Sequence, residues 1–559
     1  WLNEYGIELR AQISYGKYLE ISEPSMAVDY PEAENLNQHN QVDMYRLWSG
    51  AAKLENKILS SETGALGGHA YAFTNQAHLQ EAYSLYAAGF SRINWHIWTS
   101  AWSPEAVFNP SGAGGGFGTP VTYWPGFQSM SLFNVFGLRE PTYDTYWSFN
   151  QHLGRVQKLL REGTSRTDIG MPYIKYGQPL CTSTGQEADM WMQRHDTMMF
   201  PSTGLQDNGY TYDYFSPTLL KSEDVSYNAE TGTLELAGYK ALVLWQDQLS
   251  EEGAQDILKL AQQGLKVVIV DGAAVQTPYN DNDEGLAQTM EALKALDNVR
   301  TAASADEVVD VLRAMGVEPY AGFESQQLLT QVRQDENGNR YLYAYNYCDG
   351  SLHDGDDADH GTHASTDISV DGTYIPYVIN SWTGEVTQAA EYRWENGKTV
   401  FHLDLDYGDI ALYAFEAVEN EPEHVVASAL DTYVTDDGIV VRATQSGTYE
   451  TELAYGRKLK TTMEVPTSYD ITDWNVTVES WTPGEEIETR QDTFTDSNGV
   501  SGAEKKVSTA KTDINVKLDK LTTWDNIPEV GKAVSGKGCY KATFQWDGKA
   551  DGAYIDFGT

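Results

Sequence analysis

Lys57-Ile58-Leu59-Ser60-Ser61-Glu62-Thr63-Gly64 is the stretch on which the reading of this chain turns. Lys57 to Ser61 reads as a short strand, a carboxylate stands at its C-terminal tip, and a glycine opens the turn that follows. Upstream, Gln41 to Asn56 has helical spacing, with Val42, Tyr45, Leu47, Trp48 and Ala52 on one face. Downstream, Leu79 to Gly89 reads as a helix with Gly89 as its stop, and Arg92 to Trp98 as the next strand. Ile7 to Tyr15 is a further strand and Tyr143 to Glu162 a long amphipathic helix. Strand–helix alternation of this kind builds a parallel sheet. Three such units fit the second half of a (β/α)8 barrel, with Glu62 capping the seventh strand. Barrel enzymes carry their catalytic groups at that end of the strands.

The 559 residues exceed one hydrophobic core, and ~100–200 residues per domain gives several. The expected fold class is a multidomain chain: a (β/α)8 barrel portion, then a small doubly wound α/β domain, then β-sandwich domains. Residues 1–166 are the C-terminal half of the catalytic barrel. Residues 167–318 are a flavodoxin-like α/β domain, with strands at Asp168–Ile174, Tyr239–Trp245 and Leu265–Val270. Ser250 before Glu251 and Glu252 is a helix start. Residues 319–420 are a β-sandwich, and 421–559 a galactose-binding-like β-sandwich, truncated.

Composition narrows the function. Acidic residues outnumber basic ones 81 to 38, a net charge of −43. Such a surface repels nucleic-acid phosphates and anionic membranes and suits a neutral substrate, although acidity also serves solubility alone. Cys181, Cys348 and Cys539 are too far apart for a zinc motif or a disulfide framework. No apolar run spans a bilayer, and no leader stands at the start. Both ends fall in folded-looking sequence, so an upstream part of the same protein is expected to complete the barrel. Gly-x-Ser-x-Gly and His-Glu-x-x-His are both absent. The glycine-rich Gly112 to Gly118 lacks the Gly-Lys-Ser/Thr of a phosphate loop.

Glycoside hydrolysis needs two carboxylates, one a protonated acid and the other a base or nucleophile. Glu62 is the first candidate. Glu32 and Glu34, in the Pro-stiffened Val28-Asp29-Tyr30-Pro31-Glu32-Ala33-Glu34-Asn35, are candidates for the second, or for holding Ca2+ through oxygen. The plain alternative for both is a solvated acidic loop. Asn94, His96 and Trp98 at the next strand tip, with Trp102 and Trp124 in the loop after it, are candidate sugar contacts. There the aromatic faces would pack on C–H surfaces while His and Asn bond hydroxyls. His69 is a further candidate, and Trp95 fits the barrel core. Asp354, Asp356, Asp357 and Asp359 with His353, His360 and His363 form an acidic loop without EF-hand spacing, best read as solvated.

These residues resemble a known family. Gln12 to Tyr15, then Asp29-Tyr30-Pro31-Glu32-Ala33-Glu34, Ser60-Ser61-Glu62 and Arg92-Ile93-Asn94-Trp95-His96 are similar to the glycoside hydrolase family 106 α-L-rhamnosidases. So are Leu159 to Gly163, Gly209 to Tyr214 and Leu242 to Asp247, and more loosely Ser381-Trp382-Thr383-Gly384-Glu385. Domain order extends the resemblance over most of the chain; the motifs are specific around residues 8–62 and 92–98. The resemblance implies a secreted, periplasmic or cell-surface bacterial enzyme that inverts configuration with calcium near the sugar. It implies that Glu62 is the base activating water, that Glu32 or Glu34 is a second site carboxylate, and that a general acid lies on an earlier strand. Two alternatives stand beside it. One is a β-galactosidase-like retaining enzyme, in which the same Glu is a nucleophile. The other is a non-catalytic carbohydrate-binding protein.

Overall fold

The computed structural model describes residues 2–13, 20–35, 42–64, 74–96, 98, 103–104, 124, 136–174, 200–235, 237–347, 363–495, 501–546, 548 and 552–557, with the side chains of 490–505 excepted. Tyr15, His69, Trp102, Gly112 to Gly118, Cys181, Cys348 and the acidic loop from His353 to His360 lie outside the described residues.

The first unit is a four-stranded parallel sheet of β1 (Arg10–Gln12), β2 (Tyr30–Glu34), β3 (Ser60–Thr63) and β4 (Arg92–Trp95), in that spatial order. Between them run α1 (Ser22–Met26), α2 (Val42–Leu54) and α3 (Asn75–Ala87), and α4 (Tyr146–Leu159) follows. Four strands are half the number in a closed (β/α)8 barrel. The described residues form this open sheet and no closed barrel. The sequence reading placed three strands here and set Glu32 and Glu34 in a loop. The structure corrects this: Tyr30–Glu34 is itself a strand, hydrogen-bonded between β1 and β3.

The two faces of the sheet differ because side chains alternate along each strand. Ala33 and, partly buried, Ile93 and Trp95 join the core formed with Val42, Tyr45 and Trp48 of α2 and Ala82, Leu85 and Tyr86 of α3. Glu32 and Glu34 of β2 and Glu62 of β3 belong to the other, polar face. Helix α3 starts at Thr74, whose hydroxyl accepts from the Ala77 N–H. Just past its end, Gly89 takes a left-handed φ of 103°.

Beyond α4, five strands form a second, parallel sheet in the order Val299–Ala302, Lys266–Val270, Ala241–Leu244, Ile169–Pro172, Tyr212–Phe215. Numbered along the chain this is 2-1-3-4-5, the flavodoxin-like order. Ser250 caps the helix Glu251–Gln263 by accepting from the Gly253 N–H. This sheet packs on α2 through buried polar groups. Lys53 pairs with Asp213 at 2.8 Å, and Asp43 accepts from the hydroxyls of Tyr212 and Tyr214. At Gly50 a Cβ would stand 2.3 Å from the Tyr214 carbonyl oxygen, so only glycine permits this approach.

The third unit is two facing sheets. The strands Leu328–Gln334, Arg340–Asn346 and Ile410–Ala417 of one meet Ala364–Asp371 and Lys398–Leu405 of the other over Val332, Leu342, Ile368, Phe401 and Phe415. Thr164–Arg166, read in sequence as the end of the barrel portion, is an edge strand of this unit, paired with Leu328–Gln334. Residues 421–559, read as one truncated sandwich, contain in their described part a three-stranded sheet (Val425–Ser428, Gly447–Leu453, Arg457–Met463) and a short hairpin (Asp431–Thr435, Gly438–Arg442). A long hairpin of Trp474–Thr495 and Ser501–Leu518 follows, with Gly536–Lys541 at its side.

Candidate active site

The polar face of the first sheet gathers its carboxylates by register. Glu34, Glu62 and Asn94 stand at one level on β2, β3 and β4, and Gln12, Glu32 and Ser60 at the level below. Adjacent parallel strands lie about 4.8 Å apart, so matched register brings Glu34 and Glu62 side by side.

Gln12 joins them. Its Nε2 donates to Glu62 Oε2 at 3.1 Å and lies 3.4 Å from Glu34 Oε2. The two oxygens are therefore no farther apart than those contacts laid end to end. That span reaches the boundary between retaining (~5–5.5 Å) and inverting (~6.5–9.5 Å) carboxyl separations. Glu34 is 6% exposed, whereas the Glu62 side chain is 31% exposed and opens to solvent. His96 Nε2 lies 3.4 Å from Glu62 Oε1. Burial pushes the His96 pKa below its ordinary value, and the Glu62 carboxylate pulls the other way. The ring stands where it can donate to Glu62 or bond a hydroxyl.

Glu32 is engaged differently. Its Oε2 accepts from Ser60 Oγ at 2.8 Å and Asn94 Nδ2 at 2.8 Å, and lies 3.4 Å from Arg10 Nε. Arg10 also donates to Asn94 Oδ1 at 3.1 Å. With a guanidinium and two neutral donors on it, Glu32 is an anchor for the floor of the site. That donor set does not suit Ca2+ either, since a cation already faces the carboxylate. Among the described residues no group of three or more His, Cys, Asp or Glu side chains is arranged to hold a metal ion.

Of the residues singled out in sequence, the structure thus brings together Glu62, Glu34, Glu32, Asn94 and His96. Trp98 is 57% exposed and meets Tyr143 edge-on at 5.9 Å. Trp124 donates from Nε1 to Thr509 Oγ1 at 2.9 Å, which places it against the long hairpin. His363, the described member of the acidic loop, lies between Asp404 and Asp406. Sequence reasoning missed Arg10, Gln12 and Ser60 as site residues. Their signal was their alternation on strands β1 and β3, with Gln12 and Ser60 level with Glu32 and Arg10 one level further down, beside Tyr30.

No protein-family model matches this chain, and no curated protein matches it significantly. Among solved structures it is similar to a rhamnosidase from Novosphingobium sp. PP1Y, with 14% identity over 96% of this chain and 49% of that one, at a TM-score of 0.52. It is also similar to Gan42B, a GH42 β-galactosidase from G. stearothermophilus, with 10% identity over 73% of this chain and 64% of that one, at a TM-score of 0.43. A β-galactosidase from Bacillus circulans sp. alkalophilus matches at 11% identity over 73% and 63%, with a TM-score of 0.43. The chain thus spans about half the length of the rhamnosidase and less than two thirds of the β-galactosidases. At such identities the likeness to the rhamnosidase is one of fold, shared along nearly the whole of this chain.

Proposed function

We infer that this chain carries a glycoside hydrolase site that releases a terminal sugar, with an α-L-rhamnoside as the leading substrate. The observation that carries the reading is the Gln12 amide held between Glu34 and Glu62 on neighbouring strand tips. Matched register brings these two carboxylates together on one side of the site, and the open one, Glu62, is placed to serve as the base that such hydrolysis needs. The fold shared with a rhamnosidase supports the choice of sugar.

Glu62 acts as the base. Its Oε2 is fixed by Gln12 and its Oε1 faces His96, so a water held at its open side loses a proton to it while attacking the anomeric carbon. Glu34 is the partner carboxylate. The departing glycosidic oxygen takes a proton from a carboxylic acid on the opposite side of the sugar. Asn94 and His96 bond sugar hydroxyls and Glu32 holds Asn94 in place. The substrate is carbohydrate, without nucleic acid as partner. No helix among the described residues is long and apolar enough to cross a membrane.

The test is hydrolysis of a panel of nitrophenyl glycosides by the native polypeptide that carries this chain, beside its Glu62→Gln and Glu34→Gln variants. Removing a positioned acid or base costs at least ~10²-fold in kcat. Turnover of the α-L-rhamnoside that collapses in Glu62→Gln is the expected result. Turnover that survives the change removes Glu62 from the mechanism. Glycan binding without turnover of any glycoside replaces the hydrolase with a carbohydrate-binding protein. The anomer released, followed by NMR, separates an inverting enzyme from a β-galactosidase-like retaining one.

A further inference from the structure

On the helix side of the strand tips lies a buried polar group that the chemistry above does not use. Asn35 directly follows Glu34, and it is buried together with His78 and Glu81 of α3. Three hydrogen bonds fix it. Its main-chain N–H donates to the Glu62 carbonyl oxygen at 3.2 Å. Its Oδ1 accepts from the Gly64 N–H at 3.2 Å, and its Nδ2 donates to Glu81 Oε1 at 2.7 Å. The other Glu81 oxygen lies 3.5 Å from His78 Nδ1. The His78 ring in turn meets Trp95 of β4 edge-on at 5.4 Å.

The geometry at Gly64 explains why such a group is needed. Gly64 has φ +96°, and a Cβ there would stand 3.0 Å from the His96 carbonyl oxygen. The chain leaves β3 through a residue that must be glycine and so has no side chain to fix its own direction. Asn35 supplies the fix from the neighbouring strand. Its amide has one acceptor and one donor side, and Glu81, which accepts only, selects which side faces Gly64.

We propose that Asn35, oriented by Glu81, is a positioning residue that sets the tips carrying Glu34 and Glu62 relative to one another. Its consequence for catalysis rests on the hydrolase reading; the brace itself does not. Displacement of a catalytic group by about 1 Å costs on the order of 10²-fold in rate, so a brace one residue from Glu34 and two from Glu62 bears on kcat.

The experiment uses the native polypeptide and compares Asn35→Asp, Glu81→Gln and the double variant, each checked for folding by its thermal transition. Asn35→Asp turns an acceptor toward the Glu81 carboxylate; adding Glu81→Gln supplies a donor facing it. Two readouts are taken: kcat and KM on the glycoside that the protein hydrolyses, and hydrogen–deuterium exchange of the peptide through Ser60–Gly64. At a temperature well below its thermal transition, where loss of folded enzyme cannot account for a fall, Asn35→Asp is expected to lower kcat by about 10²-fold with KM within about twofold. It is also expected to speed exchange at Gly64 about tenfold, because repulsion from the Glu81 carboxylate pulls the accepting oxygen off the Gly64 N–H, a weakening worth about one hydrogen bond. The double variant recovers most of both. Full kcat in Asn35→Asp, or a double variant no better than the worse single one, overturns the proposal. Where Asn35→Asp does not fold, Glu81→Met leaves Asn35 present but unoriented and is read in the same way. If the native protein hydrolyses no glycoside, the hydrolase reading fails while exchange still decides the brace. Unchanged exchange at Gly64 overturns it, and faster exchange restored in the double variant upholds it.

Discussion

At the scale of single residues, the chain places charges where the cost of an unpaired one is high. Lys53 is buried with its Nζ 2.8 Å from Asp213 Oδ1 and 3.0 Å from Thr167 Oγ1. Asp213 also accepts from Ser49 Oγ at 2.7 Å and the Tyr239 hydroxyl at 3.2 Å. Burial draws the Lys53 pKa down and the Asp213 carboxylate holds it up. Lys53→Met leaves a buried carboxylate without its cation and is expected to cost about 3–5 kcal/mol. Lys53→Met with Asp213→Asn removes both charges and is expected to cost clearly less. Urea unfolding of the two variants checks the order; equal losses would show that the pair contributes packing alone. Glu32 tests the site in the same spirit. As an anchor rather than a reacting group, it is expected to lose about tenfold in kcat as Glu32→Gln, less than the ~10²-fold of Glu62→Gln. An equal or larger loss would return Glu32 to the catalytic pair.

At the scale of elements, α4 shows how one helix ties the sheet unit to the β-sandwich. His152 is fully buried, shares a 2.6 Å hydrogen bond with the Tyr83 hydroxyl, and stacks on Trp382 at 4.0 Å and 13°. Arg155, one turn on, donates to the carbonyl oxygens of Ser381 and Trp382 at 2.9 and 2.8 Å. The Ser381 to Glu385 turn is thus a docking point for α4. Burial, with Arg155 adding to it, lowers the His152 pKa to about 4. An unfolded histidine takes its proton near pH 6.5, so the unfolded chain binds more protons between those values and stability rises with pH. The contribution is complete above about pH 6.5 and is lost as pH falls toward 4, by roughly 3 kcal/mol at most. Unfolding midpoints at pH 7 and pH 4.5 should converge in His152→Gln relative to the native chain; an unchanged acid limb would assign the loss to other groups. The same scale shows what sequence could reveal. A strand beside Glu62 was legible because Ile58 and Leu59 lead to a carboxylate and a glycine, but its bounds were not, since the strand is Ser60–Thr63 with Glu62 inside it rather than Lys57 to Ser61; α2 was legible because its apolar residues recur at helical spacing. Strand β2 was not legible: Pro31 and two glutamates argue against a buried strand, and their place on a polar face of the sheet is a property of the fold. The reach of Gln12 across two strands was equally hidden, since pairing register is a property of the fold. Thr164–Arg166 was misplaced because its partner lies about 170 residues away in sequence.

At the scale of the whole molecule, charge is the dominant feature, and contacts between distant segments must form against it. The long hairpin reaches back to the first unit: Glu504–Lys505 pair with Ser103–Pro104, Arg139 donates to the Val507 carbonyl oxygen at 2.5 Å, and Lys537 pairs with Asp144. A lysine on the strand beside the hairpin meeting an aspartate on the first unit is a favourable contact in a chain of net charge −43. The remaining excess of carboxylates repels itself and destabilises the compact state. Salt shortens the reach of that repulsion, from about 30 Å at 0.01 M to about 3 Å at 1 M. Raising NaCl from 0.01 to 0.5 M is therefore expected to raise Tm by several degrees, with KCl equivalent, because screening outweighs the loss of exposed ion pairs worth ~0–1 kcal/mol each. A fall in Tm with salt would mean that ion pairs dominate. CaCl2 at matched ionic strength gives the control that bears on the metal. Screening predicts a gain no larger than that of NaCl, whereas a bound ion adds stabilisation that grows with the logarithm of its concentration. A calcium-specific gain would place a cation site in the folded protein, and the donor set around Glu32 directs the search for it away from that carboxylate.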